Sequence, residues 1–376
     1  MIDLPNGWEL KNLNEVVELK RGFDLPARER RGGPYPVLSA GAAAGWHDSG
    51  PIKGPGMVVG RATNLGVPTW SDGDFWPLNT TLYAANFYDN HPRFVFHLFE
   101  NMDLSGFDSG SVQPMLNRNY IAKLKVLVPP FADQRAIAEV LGALDDKIAA
   151  NRELADVAQA LLSARFSALQ LDEDYGDQIR LDTYFELNPK CAKPQADEPT
   201  YLDMKNLPTS DMLVSDWDQR PAKSGTRFMN GDTLLARITP CLENRKVGYV
   251  DFLDDGEVAL GSTEYIVFRA RPGVPKELAF FLTTSSRFRA TAMQHMVGTS
   301  GRQRLSAADV AGFTLRKIED SKLAEWGADA APLLKHLGSL RDENRTLASL
   351  REALLPRLMS GELRVRDRER LVENLI

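Results

Sequence analysis

Two stretches of this chain place apolar residues at alternating steps of four and three over many turns, with little glycine or proline inside. Only a long α-helix puts such residues on one face. The first runs from about Asp133 to Gln170. Its seam is Ile137, Leu141, Leu144 and Ile148, then Asn151, Ala155, Ala158, Leu162 and Leu169. Pro129 and Pro130 stop a preceding strand, and Asp133 is placed to cap the helix. The second runs from about Pro332, set in a first helical turn, to the stop signal Ser360-Gly361. Its seam reads Leu333, Leu337, Leu340, Asn344, Leu347, Leu354 and Leu358, and Pro356 predicts a kink or an early end. At about 1.5 Å per residue, helices of this length are spacers, not ordinary core helices.

The two stretches also repeat each other. Leu141-Gly142-Ala143-Leu144 matches Leu337-Gly338-Ser339-Leu340 at an offset of 196 residues. Asn151-Arg152-Glu153-Leu154-Ala155 matches Asn344-Arg345-Thr346-Leu347-Ala348, and Ala160-Leu161-Leu162 matches Ala353-Leu354-Leu355, both at 193. Duplication is the simplest account. The segments before each helix are rich in glycine, proline, aromatics and short β-type runs, and weaker matches link them. Val58-Val59-Gly60-Arg61 pairs with Leu234-Leu235-Ala236-Arg237, Leu78-Asn79-Thr80-Thr81 with Leu260-Gly261-Ser262-Thr263, and a Gly-rich stretch ending at Leu116 with another ending at Leu305. The chain therefore divides into a sheet-containing domain (1–130), a long helix (131–170), a second sheet-containing domain (171–320), and a second helix with a tail (321–376).

Composition narrows the function classes. With Cys191 and Cys241 alone among 376 residues, a disulfide scaffold or zinc ribbon is excluded, and a reducing cytoplasm fits best. No run approaches the roughly 20 apolar residues of a membrane span, and the start lacks a secretory signal pattern. A net charge of -6 argues against coating nucleic acid by bulk charge but leaves room for local basic surfaces.

The passage from Val126 to Ile148 is the most distinctive. A strand ends in Val128-Pro129-Pro130-Phe131, continues through Asp133-Gln134-Arg135-Ala136-Ile137 and enters the helix with Leu141-Gly142-Ala143-Leu144-Asp145-Asp146-Lys147-Ile148. With the ending Leu354-Leu355-Pro356-Arg357-Leu358-Met359-Ser360-Gly361-Glu362-Leu363, it closely resembles the specificity (S) subunits of Type I restriction-modification enzymes. The resemblance covers nearly the whole chain. It implies an α+β fold with two target-recognition domains separated by two long helices that pair as an antiparallel coiled coil, in an internal pseudo-twofold repeat. It also implies a bipartite, asymmetric double-stranded DNA target, two methyltransferase subunits docked along the helices, and restriction/translocase subunits. S-adenosylmethionine, ATP and Mg would act in those partners and no cofactor in this chain, within a system of DNA methylation and bacterial defence. The second repeat departs from the pattern, with Leu315-Arg316-Lys317-Ile318-Glu319 in place of the Pro-Pro-x-x-x-Gln turn.

The residues themselves offer no catalytic machinery. An amino-methyltransferase needs Asn or Asp before Pro-Pro-aromatic to hold the target amino group, whereas Val128 stands here, so the segment reads as a stiff strand-to-helix turn. Gly54-Pro55-Gly56 with Gly60 has the wrong spacing for a dinucleotide loop, and no Gly-Lys-Ser/Thr phosphate loop exists. His47, His91, His97, His295 and His336 lack a metal-ligand spacing, and Asp72 with Asp74 sits in turn-like sequence.

Binding chemistry is better represented. Arg220, Lys223, Arg227, Arg237, Arg245 and Lys246 face only Asp232 and Glu243 between residues 220 and 250, and Arg287, Arg289, Arg302 and Arg304 lie in an acid-free stretch from 278 to 308. In the first domain Lys20, Arg21, Arg28, Arg30 and Arg31 lie close together, and an acid-free stretch from 109 to 132 holds Arg118, Lys123 and Lys125. These are phosphate-sized footprints. Paired hydrogen bonds to base edges call for Arg against guanine and Asn or Gln against adenine. The candidates are Arg61, Asn64, Gln113 and Asn117, then Lys205, Asn206, Arg237, Asn244, Arg302 and Gln303. Asn151 and Asn344, at seam positions, would fix helix register if they meet. A coiled-coil protein-binding scaffold without DNA specificity is the alternative, and it would bind its partner with no sequence preference.

Overall fold

A computed structural model describes residues 5–107, 115–221, 224–298 and 303–365. The chain divides into two compact units, residues 1–147 with 347–376 and residues 148–346. Each takes part of both long helices, α1 (Phe131–Leu169) and α2 (Asp320–Met359).

The first unit is built on a four-stranded antiparallel sheet of β1 (Glu18–Arg21), β2 (Gly56–Gly60), β3 (Pro68–Ser71) and β4 (Thr81–Asn86), in the order β1-β4-β2-β3. The second repeats it with β5 (Phe185–Leu187), β6 (Thr233–Ala236), β7 (Val247–Tyr249) and β8 (Tyr265–Ala270), in the order β5-β8-β6-β7. Smaller pieces repeat too. The ladder of Glu9–Asn12 with Lys125–Val128 answers that of Gln178–Arg180 with Thr314–Arg316, both antiparallel. One parallel pairing recurs as well, Val37 to Trp76 in the first unit and Tyr201 to Leu260 in the second.

The inner strands β2 and β6 carry a run of consecutive apolar residues, because both faces are covered. Met57, Val58 and Val59, like Leu234, Leu235 and Ala236, are fully buried. Around the first sheet, Phe94, Phe99, Leu116 and Ile121 form a core to which α1 contributes Ile137 and Leu141 and α2 contributes Leu354 and Leu358. Around the second, Phe185, Phe268, Phe281 and Phe288 join Leu162 and Phe166 of α1 and Leu323, Trp326 and Leu337 of α2. Ile148, Leu144 and Leu347 are half-buried, and Leu340 is buried.

Two helix boundaries differ from expectation. α1 starts at Phe131, directly after the proline pair, and the Asp133 and Gln134 amides donate to the Pro130 carbonyl. Asp133 therefore lies inside the first turn, where its charge favours the positive helix end, instead of preceding it as a cap. Gln134 is buried, donates to the Asn90 side chain and the Pro129 carbonyl, and accepts from the His91 amide. α2 begins at Asp320, twelve residues before Pro332, and runs unbroken past Pro356 to Met359. Pro332 thus occupies a helix interior, at a cost of about 3 kcal/mol. The burial of Leu323, Trp326 and Ala330 upstream of it outweighs that penalty and holds the added turns in place.

Within the second unit the two helices are tied directly. Asn151, buried at 3% exposure, donates to Asn344 Oδ1 at 3.0 Å and to Glu343 Oε2 at 2.7 Å. Further along α1, Arg165 pairs with Asp329. Position rises on one helix as it falls on the other, so these segments run antiparallel.

The repeat in the sheets also corrects one sequence match. Thr81 opposes Gly60 in the first unit, and Tyr265 opposes Ala236 in the second. The Leu78 amide donates to Leu38 O, and the Ser262 amide to Leu202 O. Leu78 therefore corresponds to Ser262 and Thr81 to Tyr265, two residues beyond the match read from Leu78-Asn79-Thr80-Thr81. A shared Leu-to-Thr pattern mimicked the alignment there.

Candidate nucleic-acid interface

The loops that leave the two central strands hold Arg61 and Asn64 in the first unit and Arg237, Asn244, Arg245 and Lys246 in the second. In the first unit, the chain leaves β2 at Gly60 and folds back at once. The Gly60 amide donates to Val67 O and the Gly66 amide to Gly60 O, and a Cβ on Gly60 would lie 2.1 Å from Asn64 O. Only glycine fits so close a return. Arg61 follows, its amide donating to Thr80 O and its carbonyl accepting from the Leu116 amide. In the second unit, Arg237 donates its amide to Glu264 O and accepts from the Leu305 amide. The matches Arg61/Arg237 and Leu116/Leu305 are thus two copies of one corner.

The two corners carry different charge. In the second unit, Arg304 Nε and Nη2 donate to both oxygens of Glu264 at 2.9 to 3.0 Å, and Arg237 Nε donates to Glu264 Oε2 at 3.1 Å. The Arg304 hydrogen bond chiefly, with the Arg237 charge assisting against partial burial, holds the Glu264 carboxyl below its ordinary value. Gln303 sits beside this clasp, exchanging backbone and hydroxyl hydrogen bonds with Thr239. In the first unit, Thr80 occupies the place of Glu264, and neither Arg61 nor Arg21 has a side-chain partner among the described residues. Burial, then the neighbouring Arg21 charge, lowers the affinity of the Arg61 guanidinium for its proton, so an anion is favoured there.

Other candidates have local duties. Asn64 donates to Ala40 O from a left-handed backbone position, and Asn117 accepts from the Asn119 amide as a helix cap. Arg118 donates to Leu19 O. Arg30 donates to Ala44 O, and Arg31 pairs with Asp48. Lys20 pairs with Glu18 and Arg28 with Glu29, so of the basic run in the first domain only Arg21 has no partner among the described residues. In the second unit, Lys246 is drawn onto the Met204 and Lys205 carbonyls, and Asn206 donates to Asp216, which brings the Lys205–Asn206 turn beside the loop of Asn244 and Arg245. Arg287 and Arg289 donate to backbone carbonyls. Gln113, Lys223 and Arg302 lie outside the described residues.

An open cleft of ≈ 590 Å³ adjoins the second corner, lined in part by Lys190, Arg227, Arg237, Thr263 and Tyr265. Arg227 is steadied by the Cys191 carbonyl, while Lys190 has no side-chain partner among the described residues. Sequence reading missed Glu264 and Lys190. An isolated acid beside Ser262 and Thr263 offers no periodic signal, and Lys190 stands outside every basic cluster.

One group of metal-type ligands also escaped notice. His97 Nδ1 lies 2.8 Å from Glu100 and its Nε2 4.0 Å from Asp145. Arg351 of α2 bonds both carboxylates, and Arg93 lies 3.5 Å from Asp145. Two guanidinium groups already supply the positive charge that a metal would bring, so the cluster ties α2 to the first unit.

Residues 5–159 match a family model described as the Type I restriction modification DNA specificity domain. The specificity subunit of the Type I restriction enzyme EcoAI of Escherichia coli is 29% identical over 128 residues, 32% of this chain and 21% of that protein. The EcoEI specificity subunit of the same organism is 25% identical over 278 residues, 68% of this chain and 45% of its own. The chain thus aligns to less than half the length of either curated relative. In fold, it is similar to the crystal structure of a Type I restriction-modification S subunit from M. genitalium, with a TM-score of 0.64 at 14% identity over 95% of this chain and 98% of the other. Among the described residues no helix is long and apolar enough to cross a membrane. Residues 5–159 are thus similar to the Type I restriction modification DNA specificity domain.

Proposed function

We propose that this chain is the non-catalytic specificity subunit of a Type I restriction-modification complex, and that each unit reads one half of a bipartite, asymmetric duplex target. The observation that carries this reading is the arginine corner built twice with different side chains around it. One scaffold with two sets of groups suits two different half-sequences, with phosphate contacts positioning the duplex and side chains reading base edges. The long helices set the spacing between half-sites and offer docking faces to two methyltransferase subunits, with restriction/translocase subunits joining for cleavage. Methyl transfer from S-adenosylmethionine to adenine, and the ATP and Mg chemistry of translocation, belong to those partners in the cytoplasm.

The test is to map methylated adenines by single-molecule sequencing in DNA exposed to the cognate methyltransferase subunit, with and without this chain. A split motif present only with the chain is the expected result. Methylation by the formed complex without any sequence motif would sink the reading and favour a protein-binding scaffold.

A further inference from the structure

We infer that Glu264 is a specificity-determining residue of the second unit. Its carboxylate, gripped between Arg237 and Arg304, withholds both arginines from indiscriminate phosphate contact and offers its one remaining acceptor direction to the exocyclic amino group of a cytosine at the groove edge. The inference rests on the DNA-recognition reading above and adds the residue and the base class.

Three observations carry it. First, Arg304 approaches Glu264 side-on with two donors and Arg237 with one, so the carboxylate is oriented from two sides while its residue stays partly exposed. A carboxylate has about four acceptor directions. Second, a carboxylate next to DNA is repelled by phosphates unless cations screen it, and here two guanidiniums do so. Among the bases, a carboxylate accepts best from the cytosine amino group. Third, the first unit supplies a built-in comparison, since the same backbone corner has Thr80 in place of Glu264 and leaves Arg61, beside Arg21, without a carboxylate partner among the described residues. The first corner is thus a bare cationic site for phosphate or guanine. The second is a partly neutralised reader, with the basic cleft of Lys190 and Arg227 beside it to hold the strand.

The experiment selects from a random-sequence duplex library with the full chain, then titrates one fixed random duplex against it at several salt concentrations. In wild type, one position of the second unit's half-site should prefer cytosine. Glu264→Gln should reduce that preference by roughly tenfold or more. It should also steepen the logarithmic salt dependence on the random duplex by about one to two, as freed arginines take phosphates at about 0.9 per contact. Thr80→Glu transplants the carboxylate beside Arg61 and guards against a folding defect at Glu264. It should shallow the salt dependence and alter the other half-site alone. An unchanged motif and salt dependence in both variants would overturn the inference while leaving DNA recognition standing. A wild-type chain that selects no motif would overturn both.

Discussion

Arg61 and Glu264 show how one side chain changes what a shared backbone can do. Arg61, without a side-chain partner among the described residues, should serve as a phosphate contact. Arg61→Ala is expected to weaken binding to all duplexes alike and to lower the salt slope by about one, measured by titration at several salt concentrations. A loss confined to one sequence would instead mark it as a base reader. Glu264 predicts a pH effect. Its folded pKa lies below the ordinary 4.5, so the clasp stabilises the fold above that value and the contribution is lost as pH falls through the lower folded value. Wild type should therefore show a steeper loss of stability than Glu264→Gln below about pH 4.5, followed by acid unfolding. Identical acid limbs would mean that the clasp adds nothing to stability. Arg61, Arg237 and Arg304 stood out in the sequence as basic candidates, but the clasp on Glu264 did not. Arg237, Glu264 and Arg304 are separated by 27 and 40 residues, and no local periodicity joins them.

At the scale of elements, the helices were readable because burial of a seam imposes a period, whereas their ends were not. The run from Glu319 to Ala331 mixes charged residues with Leu323 and Trp326, and Pro332 resembles a start when read locally. Only the tertiary core explains why the helix continues through it. Pro332→Ala restores an amide opposite the Ala328 carbonyl at an exposed position, and it should raise the unfolding free energy by about 1 to 3 kcal/mol in chemical denaturation. The Asn151–Asn344 pair, by contrast, was legible as a seam polar pair. Asn344→Leu removes one acceptor from a buried amide and should cost about 1 to 3 kcal/mol. Replacing both with Leu should recover most of that loss, because no orphaned polar group remains. A double variant as unstable as the single one would show that the amides, not their mutual satisfaction, are required.

For the whole molecule, the repeat was visible in the sequence as globule and helix twice over, yet the contacts distribute each helix between the two units. That sharing depends on which seam residue meets which core, information that spacing alone does not hold. If the two units read separate half-sites, exchange of residues 171–320 for another such domain should change one half of the methylated motif and preserve the other, read by sequencing modified adenines. A change in both halves would contradict modular reading.

The two corners are wired alike, Leu116 to Arg61 and Leu305 to Arg237, and each hydrogen bond closes inside its own unit. Neither corner relies on the other for its shape. If each unit reads its own half-site as proposed, a lineage carrying this protein can rewrite half of its molecular address by substitutions at one corner, while the other half stays in service.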